Sequence, residues 1–341
     1  MKGLNFDVVI NTDNNYVQHC MAMLQSLYYQ NKNHKISLHV LTYNLDNINK
    51  HYLSEITARY NNDIFFYRIN EEILDGVQFR KNRPLSKAAY YRLLLSSTLP
   101  QNIEKVLYLD CDMIVMGDVS ELFELEINNY ALAATLDDFP YSNQHRLQLH
   151  MDMMERTFCS GMMLVNLKYW RENNCEPLLL EYATKRIRKE IYLHDQDVLN
   201  YVFKSQWFML PPKWNKNAGQ LKPLANYWYK SFDINEYLYN PKIIHYAAIG
   251  KKPWYNVSQP DRKPYLDALK ESGYKPVVFT KITFFKKIEL LREYFEYLIN
   301  KYVVKFIPNI ILIIIYDIID LIKLPVRIAR KTGVYKTLKI K

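Results

Sequence analysis

The sequence predicts an α/β protein built on a Rossmann-like sheet, with a basic helical tail at its C-terminal end. Three observations carry that prediction. Apolar strand-length runs alternate with helix-period segments from residue 6 to about residue 115, the pattern of parallel strands joined by right-handed crossovers. The pair Asp110 and Asp112 stands directly behind the apolar run Val106-Leu107-Tyr108-Leu109. The net charge of +10 is uneven, since residues 281–341 hold 13 Lys or Arg against 5 Asp or Glu.

Taken in order, residues 6–12 read as a strand and 16–30 as a helix with Cys20, Met23, Leu24 and Leu27 on its apolar face. Strands follow over 36–43 and 63–69, with a helix over 46–60 between them. A helix over 86–97 leads to a strand over 105–110. Beyond it the pattern is less regular: strands over 130–136 and 158–166, helices over 173–189 and 195–204, and a late strand over 242–246. Residues 211–240 are rich in Trp, Tyr, Asn and Pro without a clear period, and read as a loop-rich wall of the kind that lines clefts. Ligands of such sheets gather beyond the carboxyl ends of the strands. Asn11-Thr12-Asp13-Asn14-Asn15-Tyr16 is therefore expected to share a crevice with Asp110 and Asp112. No Gly-x-Gly-x-x-Gly follows the first strand, which argues against a dinucleotide cofactor.

Side chains alternate along a strand, so Asp110 and Asp112 are expected on one face and Cys111 on the other. Two aligned carboxylates form a hard-oxygen half-site for a divalent cation, with positions left for the oxygens of a nucleoside diphosphate. The bland alternative is an acidic strand end solvated at the surface.

Hydrophobic residues make up 49% of the 341, enough for a sizeable core. Cys20, Cys111, Cys159 and Cys175 have no metal-knuckle spacing and lie in apolar stretches, as reduced thiols of a cytosolic protein would. No apolar h-region follows a basic start, so no signal peptide is expected. The expected division is a catalytic domain over 1–280 and a tail over 281–341. In the tail only residues 306–316 run without a charge, short of the ~20 that a spanning helix needs. Its isoleucines leave one polar side, with Asn309, Tyr316, Asp320 and Lys323, and lysines and arginines follow. That pattern fits an amphipathic helix lying on an anionic membrane surface, from the cytoplasmic side; the alternative is packing on the catalytic domain or in a dimer. Basic charge confined to a tail does not suit a nucleic-acid binder.

Six segments, in order, together resemble glycosyltransferase family 8, which includes bacterial lipopolysaccharide α-galactosyl- and α-glucosyltransferases and glycogenin. They are Val8-Val9-Ile10-Asn11-Thr12-Asp13-Asn14-Asn15-Tyr16, Ser86-Lys87-Ala88-Ala89-Tyr90-Tyr91-Arg92-Leu93, Val106-Leu107-Tyr108-Leu109-Asp110-Cys111-Asp112, Phe158-Cys159-Ser160-Gly161, His194-Asp195-Gln196-Asp197, and His245-Tyr246-Ala247 through Lys252-Pro253-Trp254. The resemblance covers roughly residues 6–255. It implies a single-domain GT-A fold of the nucleotide-diphospho-sugar transferases and a retaining hexosyl transfer from a UDP-sugar.

The same resemblance implies roles. Asp110, Asp112 and His245 would hold the cation, Mn²⁺ or else Mg²⁺, the imidazole favouring Mn²⁺. Lys252 would add a point charge on the diphosphate. Asn11, Asp13, Asn15 and Tyr16 would hold the uridine, although Asn and Asp after a strand also serve turns. Arg92, Cys111 and Ser160 would line the donor, and Asp137 would bind sugar hydroxyls, with Asp138 its rival. Asp195 and Gln196 would stand beside the anomeric carbon: Gln196 would stabilise the oxocarbenium-like state through its amide oxygen in a front-face displacement, while Asp195 holds a hydroxyl. Cys159 stands where many members have an Asn, and a thiol hydrogen-bonds poorly in its place, which leaves glucose against galactose open. The acceptor implied is a lipid-linked or surface glycan, such as lipopolysaccharide, capsule or glycoprotein glycan. Two other readings use the same residues: a nucleotidyl or phosphoryl transferase, and a non-catalytic glycan- or lipid-binding scaffold.

Overall fold

The computed structural model describes residues 3–77, 86–137, 149–152, 155–185, 193–218, 232–247, 252–257 and 259–279. The whole predicted tail, with its expected membrane helix, lies outside the described residues, as do Asp138 and the end of the 173–189 helix. No helix among the described residues is long and apolar enough to cross a membrane.

Seven strands form the main sheet: β1 (Asn5–Asn11), β2 (Lys35–Thr42), β3 (Asp63–Arg68), β4 (Lys105–Leu109), β6 (Leu132–Leu136), β7 (Phe158–Asn166) and β8 (Trp207–Met209), in the order β3-β2-β1-β4-β7-β6-β8. β5 (Met113–Val115), β10 (Ile243–His245) and β9 (Lys216–Asn217) form a second, three-stranded sheet in that order. Val8, Val9 and Ile10 of β1 are all fully buried, because both faces of the sheet are covered. One face, with Val8, Ile10, Leu38, Val40 and Leu107, packs under α1 (Val17–Gln30) and α2 (Asn47–Arg59). The other, with Val9, Val106 and Tyr108, packs against residues 90–95 and the helices that follow β7. α2 starts on Asp46, whose carboxylate accepts from Asn49 N at 2.7 Å, a cap worth about 1 kcal/mol.

The expected alternation holds through β4, with four corrections. β7 runs antiparallel to both of its neighbours, so the sheet is parallel-rich but mixed. The segment after Ser86 is a 3₁₀ helix over Lys87–Leu94 with one α turn over Leu95–Thr98; Ser86 Oγ accepts from Ala88 N, and Arg92 Nε takes the carbonyl of Ala89 at 3.0 Å. A helix not expected from the sequence, Leu167–Glu172, precedes the predicted 173–189 helix, which is described over Cys175–Lys185; the two are separated at Asn174, whose φ of 48° a helix cannot carry. In the predicted wall, Pro212–Trp214, Lys216–Asn217 and Ile234–Tyr239 form short regular elements.

Candidate active site

Strand β4 stops at Leu109, one residue earlier than expected, and Asp110-Cys111-Asp112 is a turn between β4 and β5. Asp110 N donates to Gly161 O at 2.8 Å, fixing the turn to β7. The expected division of faces survives the turn. Cys111 Sγ lies 3.2 Å from Asn11 O and 2.8 Å from the Cys20 thiol, buried behind the acids. The hydrogen bond with Cys20, followed by burial, pushes the Cys111 thiol up in pKa. Its side chain thus does not line the donor pocket, contrary to the expectation for that residue. All four cysteines are free.

The second sheet delivers His245. β10 pairs antiparallel with β5, His245 opposite Met113, and Tyr246 N donates to Asp112 O at 3.0 Å. His245 Nε2 then lies 3.4 Å from Asp112 Oδ1 and 3.7 Å from Asp110 Oδ2. One ligand atom from each of the three falls within 4.8 Å of the others. Two carboxylates and an imidazole are a donor set that suits a divalent cation such as Mn²⁺. The set lies at the carboxyl ends of parallel β1 and β4, where the sequence expected it. Lys252 closes it by hydrogen bonding to Asp112 Oδ2. Burial works against the Asp112 carboxylate, but Lys252 and His245 outweigh it and hold its pKa far below the usual range. Burial likewise opposes the His245 imidazolium, and Asp112 outweighs that too, raising it to about 10.

Arg92 organises the neighbouring corner. Its guanidinium, 5% exposed, donates to Asp110 Oδ1 at 2.7 Å and to the carbonyl and hydroxyl of Ser160 at 2.9 and 3.2 Å. Its Nε stands 3.2 Å from Asp195 Oδ2. Tyr108 lies beneath it, 4.4 Å from ring centroid to guanidinium, and donates its own hydroxyl to Asp110 at 2.8 Å. Arg92 therefore spends its donors on the protein and links two carboxylates, rather than standing open to a donor sugar. Burial lifts Asp195 to about 6, against the pull of Arg92. Ser160 Oγ donates to Asp195 at 3.1 Å. Gln196 is held at both ends of its amide: Oε1 accepts from Ser160 N at 3.1 Å, and Nε2 donates to Asp137 Oδ2 at 2.7 Å. Asp137 thus joins Asp195 and Gln196 in one hydrogen-bonded group.

On the loop after β1 Asp13 Oδ1 accepts from Asn15 N at 2.9 Å, which is the turn chemistry of the plain alternative. Asn15 is exposed and Tyr16 half-buried. Both polar side-chain atoms of Asn11 are sealed from solvent and meet no partner among the described residues. Cys159 Sγ lies 3.8 Å from His245 Nδ1, a weak contact on the ring's far side. Two residues that the motifs contained went unassigned. Tyr108 shares a strand face with Asp110, so the alternation that paired the acids could have found it. Gly161 is needed for space: a Cβ there would overlap His245 Cε1 and lie 2.9 Å from Asp110 Oδ2.

Two acids and an imidazole that could hold a cation, beside a fixed amide–carboxylate chain at the carboxyl ends of the strands, suit a transferase that draws on a nucleotide-sugar donor. Residues 7–258 match the family described as Glycosyl transferase family 8, and the chain belongs to that family. General stress protein A of Bacillus subtilis (strain 168) is 30% identical over 267 residues, covering 76% of this chain and 91% of that protein. A lipopolysaccharide 1,2-glucosyltransferase of Escherichia coli is 28% identical, covering 79% of this chain and 84% of its own length. The galactosyltransferase LgtC, solved with donor and acceptor sugar analogues, shares the fold with a TM-score of 0.70 at 22% identity, over 80% of this chain and 98% of LgtC. A further LgtC structure carries a glutamine-to-glutamate substitution in the active site.

Proposed function

We propose that this protein is a retaining hexosyltransferase that moves glucose or galactose from a UDP-sugar, with Mn²⁺ held by Asp110, Asp112 and His245. The observation that carries the reading is the convergence of those three residues with the Arg92–Asp195–Ser160–Gln196–Asp137 chain on one crevice. A bound cation would supply positive charge where the diphosphate leaves. Lys252 adds its ammonium to the same phosphates, and charge placed where negative charge develops lowers the barrier most. Asp13, Asn15 and Tyr16, on the loop beyond β1, would meet the nucleoside, whereas the Asn11 amide is sealed beneath that loop.

In the front-face route the bond from the anomeric carbon to the diphosphate oxygen breaks while the acceptor hydroxyl attacks from the same side. The hydroxyl proton passes to the departing phosphate oxygen. Gln196, held by Ser160 and Asp137, presents its amide oxygen to the positive charge on the sugar ring. Asp195 and Asp137 fix sugar hydroxyls. The acceptor is a lipid-linked or surface glycan. The lipopolysaccharide enzyme among the relatives supports that choice, and the basic amphipathic sequence of 281–341 would keep a catalytic domain over 1–280 at the cytoplasmic membrane face.

The test is a panel of UDP-hexoses with Mn²⁺, reading the nucleotide released. UDP released from one hexose, and none from Asp112→Ala, is expected. UMP or pyrophosphate as product would establish attack at phosphorus and overturn the reading. No turnover with any UDP-hexose would leave the chain a scaffold.

A further inference from the structure

Lys252 stands on a turn that is held in place by a residue outside every motif. Asn256 N donates to Lys252 O at 3.0 Å, closing one helical turn. Trp254, in the middle of that turn, stacks on His19 with ring centroids 3.6 Å apart and planes 22° from parallel. Tyr16 meets the same indole edge-on at 6.0 Å. His19 is anchored in turn, with Nδ1 2.8 Å from the Tyr265 hydroxyl, and Arg262 Nε donates to Pro253 O at 2.7 Å. The imidazole is 6% exposed, and burial pulls its pKa down to about 3, so it stacks as a neutral plane. Next to it, Gln18 exchanges two hydrogen bonds with the backbone of Val278, at 2.7 and 3.0 Å.

These contacts place the first turn of α1 at a junction. It continues directly from the loop 11–16 that meets the nucleoside, and it carries the ring on which the Lys252 turn rests. A lysine stem is flexible, so an ammonium that must meet a diphosphate has to be held by its surroundings. Asp112 Oδ2 takes a hydrogen bond from Lys252 Nζ, and the Trp254 ring, with its centroid 5.4 Å away, flanks the ammonium on another side.

We propose that His19 is a positioning residue for Lys252: by stacking on Trp254 it sets where the ammonium meets the donor diphosphate, and it ties that place to the nucleoside loop. The inference rests on the UDP-sugar reading above. It requires that a loss of the stack harm diphosphate recognition while leaving nucleoside recognition in place.

The experiment titrates UDP, by calorimetry with Mn²⁺, and uridine, by ligand-observed NMR, into the full chain. The variants are His19→Ala, His19→Phe, Lys252→Ala and the double variant His19→Ala/Lys252→Ala. His19→Ala should weaken UDP about tenfold and leave uridine within about twofold, and His19→Phe, which keeps a flat ring, should recover most of the loss. The double variant should be no weaker than Lys252→Ala alone, since the two residues act through one contact. Additive losses, or an equal loss of uridine in His19→Ala, overturn the proposal. Trp254→Leu removes the stack from its other side and decides the matter if His19→Ala does not fold. Unchanged UDP binding by the His19 and Trp254 variants sinks this proposal alone. A wild-type chain that binds no UDP sinks the donor reading as well.

Discussion

The crevice has two corners built on opposite plans. At the Arg92 corner each polar side chain is tied to protein: Arg92 to Asp110, Asp195 and Ser160, and Gln196 to Ser160 and Asp137. At the cation corner two acids face each other, and they are balanced by His245 and Lys252. The first corner is preorganised, as stabilisation of a developing charge requires. The second has its charge balance reset whenever a cation binds. On the proposed reading the sugar end would be fixed before a donor arrives, and adjustment would fall to the diphosphate end.

Gly161→Ala should break both corners at once, because its methyl group takes the space of His245 and crowds Asp110. Sugar transfer should fall by about 10³-fold, the several kcal/mol that a divalent cation supplies, and calorimetry should detect no Mn²⁺ binding. Ordinary Mn²⁺ affinity in this variant would mean that close backbone approach does not shape the site. Arg92→Met should break the rigid corner at its hub. It strands Asp110 and Asp195, and removing one partner of a buried pair costs about 3–5 kcal/mol, measurable by urea unfolding. Arg92→Lys should rescue little, since an ammonium cannot fork between two carboxylates and a carbonyl.

Acidity sharpens the contrast. His245 is raised to about 10 and must lose its proton to ligate a cation. Mn²⁺ affinity should therefore climb about tenfold per pH unit from pH 7 to 9, with about one proton released. Calorimetry in buffers of different ionisation enthalpy reads that proton, and a pH-independent affinity would remove His245 from the ligand set. In the cation-free protein the raised value also means that this group's stabilisation is full below pH 6.5 and fades as pH rises through about 10. Asp195 works the other way. Its folded pKa of about 6 exceeds its unfolded value, so this group adds stability as pH falls through 6 toward 4. The stability difference between wild type and Asp195→Asn should shift in favour of wild type by about 1 kcal/mol from pH 7 to 5. Cys159→Asn is expected to matter least at the cation corner, changing Mn²⁺ affinity less than about threefold, because the thiol–imidazole contact at 3.8 Å is weak.

Much of this was legible in the chain because period and chemistry coincide there. The alternation through residue 115 yields β1 to β4, and the acids follow a strand directly, so the cation pair could be read from spacing. The direction of β7 could not. Its residues are buried on both faces, and a continuous apolar run reads the same whichever way the strand points. The link made by Arg92 was invisible for another reason: Asp110 and Asp195 meet it only after three segments fold together, whereas a lone helical arginine usually points to water. Asp137 and Asp138 are adjacent in sequence, and the bond from Gln196 to the Asp137 carboxylate is not visible in the sequence.

The pairing of β10 with β5 makes the cation corner a product of chain completion. Asp110 and Asp112 emerge early in synthesis, but their imidazole partner arrives some 130 residues later and is registered by the bond from Tyr246 N to Asp112 O. A nascent or C-terminally shortened chain ending before β10 would carry both acids without the imidazole, so the three-residue cluster is assembled only when nearly all of the family-matching region has been made.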